Sequence, residues 1–103
     1  MIKVSVLYPN TEGKKFDMDY YCGQHVSLVT SLLGDALKEA SIESGLGGGA
    51  PGSPAPFVAM GNLYFASMEE FGQYFEPNAA KIMGDLPNFT DIEPVVQIST
   101  VMV

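Results

Sequence analysis

Between Gly45 and Pro56 the chain reads GLGGGAPGSPAP. Neither a helix nor a strand persists through such a run, because glycine leaves the backbone unrestrained while proline fixes φ and removes a donor. It separates two halves, and each half reads strand, helix, strand. In the first, Ile2 to Tyr8 (IKVSVLY) is a β-branched, alternating run stopped by Pro9 and a polar loop, which predicts a strand. A helix from Asp17 to Leu33 follows, ended by Gly34. Asp35 to Ser44 (DALKEASIES) has helical composition but period-two alternation; with a helix just terminated and the glycine-rich run ahead, it is read as a strand.

In the second half, Phe57 to Ala66 (FVAMGNLYFA) is apolar on both parities and reads as a central strand. Ser67-Met-Glu-Glu70 is a capping box that opens a helix carrying Phe71, Tyr74 and Phe75, an aromatic trio read as core. Pro77 breaks it, and Asn78 to Met83 adds a second helical segment before Gly84. Asp85 to Asp91 (DLPNFTD) is a turn-rich connection, and Val95 to Val103 is the last strand.

The order is β-α-β-β-α-β in one domain, residues 1–103, of the α+β class. It predicts a ferredoxin-like four-stranded antiparallel sheet with helices on one face. The other face should alternate to polar if it met water. Instead the first strand offers only Lys3 as a charge and the third and last have none, so a second layer is expected. The simplest is the sheet of another copy, giving a homodimer.

The helix opening at Asp17 holds the chain's one histidine. At about 100° per residue, Met18, Tyr21, Cys22, Leu28, Val29 and Leu32 share an arc with His25, which places the ring in the middle of the buried stripe. Cys22 is accordingly read as a small core residue. Asp17 is a good N-cap, and Phe16 and Tyr21 are spaced as a hydrophobic staple. A buried imidazole has two readings. It is a core group hydrogen-bonded to a neighbour, or it is a general acid or base facing a pocket, since its usual pKa lies near working pH.

Charge excludes several functions. Twelve acidic residues stand against five lysines and no arginine, a net charge of −7, which opposes nucleic-acid binding. An arginine clamp on a carboxylate or phosphate is impossible, so the expected ligand is a small, largely neutral, hydrophobic molecule. No apolar run is long enough for a membrane span. The glycine-rich run lacks a following lysine and helix, so neither a P-loop nor a dinucleotide motif is present; it is a flap over a pocket or a hairpin connection. A single cysteine and an N-terminus without a signal pattern fit the cytoplasm. With one histidine, no cysteine pair and no acidic cluster of ligand spacing, no metal site and no cofactor are expected.

Several stretches together resemble the EthD family: Phe16-Asp-Met-Asp-Tyr-Tyr21 with His25-Val-Ser-Leu-Val29, Gly45 to Pro51, and Asp85 to Asp91 with Pro94 and Gln97. Ser27 stands where that family often has proline. The resemblance implies a dimeric α+β barrel with a pocket between sheet and helices. Its superfamily includes cofactor-free monooxygenases, lactone isomerases, polyketide cyclases and dehydratases, and haem-dependent enzymes, and shared fold does not transfer any one of these.

Two functions follow as expectations. One is a cofactor-independent enzyme acting on a hydrophobic aromatic or lactone-like compound, with His25 moving a proton beside a carbonyl and Tyr8, Tyr21, Asn62 and Tyr64 as the candidates for contacting the substrate. The other is a non-enzymatic accessory protein that binds a small apolar ligand or supports a degradation enzyme.

Overall fold

The computed structural model describes residues 1–103. Strand β1 spans Ile2–Pro9, β2 Glu39–Ser44, β3 Phe57–Phe65 and β4 Val95–Thr100. All neighbours are antiparallel and the order is β2-β3-β1-β4. The first helix, α1, has three successive parts: α-helical Met18–Tyr20, π-helical Tyr21–His25 and α-helical Val26–Leu33. The second, α2, is Met68–Phe75. A 3₁₀ turn at Glu76–Asn78, where proline interrupts the helical ladder, leads into α3, Ala79–Gly84. No helix is long and apolar enough to cross a membrane.

The local signals act as their chemistry requires. The Asp17 carboxylate accepts from the Tyr20 amide at 3.1 Å, and the Phe16 and Tyr21 rings meet at 5.2 Å as the staple. Gly34 ends α1 at φ 54°, a conformation that costs a side-chain-bearing residue far more. Ser67 caps α2 by accepting from the Glu70 amide.

The ends of two strands and the place of Cys22 differ from expectation, and the glycine-rich run takes one of its two readings. β2 begins at Glu39 because a 3₁₀ turn, Gly34–Ala36, carries the chain out of α1, and β4 stops at Thr100 rather than Val103. The glycine-rich run is a hairpin connection: Gly48 donates to the Ser53 carbonyl, folding the run on itself, and none of its residues lines the cavity described below. Cys22 is exposed. The π turn rotates the chain less per residue than an α-helix, so Cys22 swings off the stripe while Tyr21 comes into line with His25.

Register decides which side chains the helices cover. Val4, Val6 and Tyr8 pair with Leu63, Gly61 and Ala59, and this parity faces α1 to α3. The helices cover it with two apolar clusters. One contains Val4, Val29, Leu33, Phe65 and Ile82, the other Tyr8, Tyr21, Leu86 and Phe89, and Val6 packs against both. Burying a side chain such as Phe65 contributes about 1.5–3 kcal/mol. The opposite sheet face carries Lys3, Ser5, Leu7, Met60, Asn62 and Tyr64 in its centre, with Glu39 and Glu43 on the β2 edge.

Candidate functional site

Between the two clusters lies a cavity of about 140 Å³ walled by all four strands and all three helices. An unfilled space of that size forgoes roughly 3 kcal/mol of packing at about 24 cal/mol per Å³, a sizeable part of the 5–15 kcal/mol typical of a domain's stability. Its wall is apolar except where Tyr8, Tyr21, His25 and Thr30 reach it. The Thr30 hydroxyl bonds the Ser27 carbonyl. The three rings therefore supply its polar chemistry.

Tyr8 and Tyr21 are 1% and 3% exposed, with ring centroids 5.5 Å apart. Burial pushes the Tyr8 phenol up to about 12, with the Tyr21 hydroxyl acting in the opposite direction. Burial raises Tyr21 as well, followed by its proximity to Tyr8. Both are protonated near neutral pH, so each carries a single O–H. The Tyr21 hydroxyl lies over Gly61, where a Cβ would stand within 2.3 Å of its oxygen. Glycine in β3 is what gives that hydroxyl its place.

His25 stacks on Tyr21 at 5.4 Å and lies 4.8 Å from the Phe89 ring. Its Nδ1 is 2.9 Å from Asp85 Oδ2, with 7% and 12% of the two side chains exposed. Nε2 makes no hydrogen bond within the protein and is not among the sealed, unpartnered polar atoms. The other carboxylate oxygen, Asp85 Oδ1, accepts from Tyr20 Oη at 2.7 Å and from Asn88 Nδ2 at 2.9 Å. Burial alone would raise the Asp85 carboxyl; the bonds from Asn88, Tyr20 and His25, with the His25 charge, outweigh it and hold the group below its ordinary value. Asp85 is an anion at neutral pH.

Two local devices assemble this cluster. Residues five apart lie about 140° apart around an α-helix, so Tyr20 and His25 would not share a target. The π turn between them closes that angle and brings both to Asp85. Following α3, the 3₁₀ turn Leu86–Asn88 superposes positions three apart, which sets the Asn88 amide over the Asp85 carboxylate. The Asp17 amide donates to the Phe89 carbonyl at 2.8 Å and Thr90 Oγ1 to the Lys15 carbonyl at 2.6 Å, tying this turn to the start of α1.

Of the residues singled out from sequence, His25, Tyr8 and Tyr21 come together at the cavity. Asn62 and Tyr64 do not. The even positions of β3 face away from the helices, because Ala59, Gly61, Leu63 and Phe65 occupy the inward parity. Asn62 Nδ2 instead donates across the sheet to Ser41 Oγ at 3.2 Å. Asp85, Tyr20 and Asn88 were missed as site residues. Asp85 stood inside a motif read only as a turn, and an acid just beyond a helix end was the available signal. No three His, Cys, Asp or Glu side chains are grouped so as to hold a metal ion.

Comparison with known proteins matches the model of the EthD domain over residues 11–93. The crystal structure of an EthD-like protein from Ralstonia eutropha JMP134 is 47% identical, with TM-score 0.93, covering 99% of this chain and 92% of that one. An EthD family protein from Bacillus halodurans C-125 is 18% identical, with TM-score 0.68 and 99% of each chain covered. A dimeric ferredoxin-like protein from Thermobifida fusca YX is 14% identical, with TM-score 0.61 over 97% of this chain and 90% of that one, a likeness of fold alone. Comparison with curated proteins returns no match. The family match over most of the chain, with the close structural likeness to the Ralstonia protein, places this chain in the EthD domain family.

Proposed function

We propose that the protein is a cofactor-independent enzyme that moves a proton at the carbon next to a carbonyl in a small hydrophobic ring compound. The observation that carries this reading is His25: its Nδ1 is engaged, its Nε2 is unpaired, and it stands at the wall of an otherwise apolar cavity. Nε2 acts as the general base. A carbonyl oxygen gaining negative charge as the proton leaves is met by the Tyr8 hydroxyl, which is held in its protonated form and is itself supported by the Tyr21 hydroxyl behind it. The size fits a single ring, since an apolar cavity of about 150 Å³ accepts benzene. No lysine or arginine lines the wall, so a neutral substrate is favoured over a carboxylate.

The test uses cyclohexanone in D₂O, with exchange of the protons beside its carbonyl followed by proton NMR. The protein should accelerate exchange above buffer, and His25→Ala should remove on the order of 10² to 10⁴ of that acceleration. Exchange that stays within about threefold of the unaltered protein would exclude His25 as the base, at the scale expected of acid–base catalysis.

The assembly proposed is a homodimer built on the open sheet face. Support comes from β3 and β4, which bring no charge to it, and from the shared fold of a protein that is itself dimeric. Sedimentation at low micromolar concentration should show twice the chain mass of 11.0 kDa; a folded species of single-chain mass would refute it.

A further inference from the structure

The Asp85 carboxylate is divided between two tasks. Oδ1 takes two donors, Tyr20 Oη and Asn88 Nδ2, and Oδ2 faces only His25 Nδ1. An ionised carboxylate accepts and cannot donate. The ring nitrogen 2.9 Å from Oδ2 must therefore carry the proton. We infer that Asp85 is a positioning residue: anchored through Oδ1 by Tyr20 and Asn88, it fixes the Nδ1–H tautomer of His25 and directs the unprotonated Nε2 to the cavity. It touches no reacting atom. Its part is to select which nitrogen is basic and to stabilise the imidazolium formed when Nε2 takes a proton, the task an aspartate performs behind a catalytic histidine elsewhere. The consequence for catalysis rests on the general-base reading of His25, whereas the tautomer itself does not.

The anchoring gives Asp85→Asn a defined outcome. The introduced amide has one accepting oxygen and one donating nitrogen. Tyr20 and Asn88 both donate to the Oδ1 position, so the oxygen belongs there and the NH₂ is left facing His25 Nδ1. Nδ1 must then accept, and the proton moves to Nε2. The ring keeps its place while the base is removed from the cavity. Adding Tyr20→Phe to Asp85→Asn deletes one of the donors that force this orientation, so part of the ring population should return to Nδ1–H.

Long-range ¹H–¹⁵N NMR of the imidazole reads this directly, because the chain has one histidine. With the ring neutral, the unaltered protein should show Nδ1 protonated and Nε2 bare; the reverse overturns the inference, and this measurement needs no variant to fold. Asp85→Asn should invert the pattern with its near-UV circular dichroism preserved, and retention of Nδ1–H in a folded Asp85→Asn protein overturns it equally. Cyclohexanone exchange separates the two readings. An inverted tautomer with exchange lowered on the order of 10²-fold or more supports both. An inverted tautomer with exchange untouched keeps Asp85 as the positioning residue and sinks His25 as the base.

Discussion

Replacing Gly61 by alanine tests how tightly the cavity's polar end is built. The Cβ would lie 2.3 Å from Tyr21 Oη, but 3.6 Å from Tyr21 Cζ and 3.7 Å from Ile42 Cδ1, which are ordinary contacts. The obstruction is therefore one oxygen atom. Gly61 has no positive φ, so its backbone accepts a side chain, and removing a strand glycine contributes about 0.5–1 kcal/mol of stability. Against this stands the overpacking cost of about 1–3 kcal/mol, because the Tyr21 ring is boxed in by Tyr8, Phe16, His25 and Phe89. Gly61→Ala should lose up to about 2.5 kcal/mol net, with Tm falling by roughly 4–8 °C per kcal/mol for a domain of this size. In a Tyr21→Phe background the oxygen is gone, and the same change should be neutral or slightly stabilising. Urea melts of the four proteins give the coupling, expected to be at least about 1 kcal/mol. A Gly61→Ala penalty of the same size in both backgrounds would refute this account of the glycine.

At acid pH the contribution of Asp85 is lost. Its folded pKa is depressed, so its stabilisation is complete above the unfolded value of about 3.9 and disappears as pH falls through the lower folded value; the stability gap between the unaltered protein and Asp85→Asn should close over that window in pH-dependent urea melts. At alkaline pH the sign is opposite. Tyr8 is raised to about 12, so its neutral form is favoured in the fold and stability falls as pH rises from the unfolded value of about 10 toward 12, a limb that Tyr8→Phe should flatten in thermal melts. Asp17→Ala should cost about 1 kcal/mol through loss of the α1 cap; a change of a few tenths would mean that the ties from Lys15 and Asp17 to the Phe89–Asp91 segment carry the helix start instead.

Sequence by itself determined the order of elements, the limits of α1 and the burial of His25. These rest on interactions between near neighbours along the chain: an aspartate cap, a glycine that accepts φ 54°, a proline that breaks a helix, and periodic apolar positions. It also placed Tyr21 beside His25, since four residues make about one turn. Asn62 and Tyr64 mark where local reading stopped. A strand apolar on both parities presents no inside or outside until its register with β1 and the helices is set, and that register turned Gly61 and Leu63 inward.

The π turn was equally hidden. It fits the face of Tyr21 and His25 to a cavity and to a partner sixty residues away, and no local periodicity encodes that. Asp85 became a site residue only when tertiary structure laid the turn after α3 against the start of α1. Hydrogen bonding across that separation depends on where two segments finally lie, which is a property of the packed core and not of either segment alone.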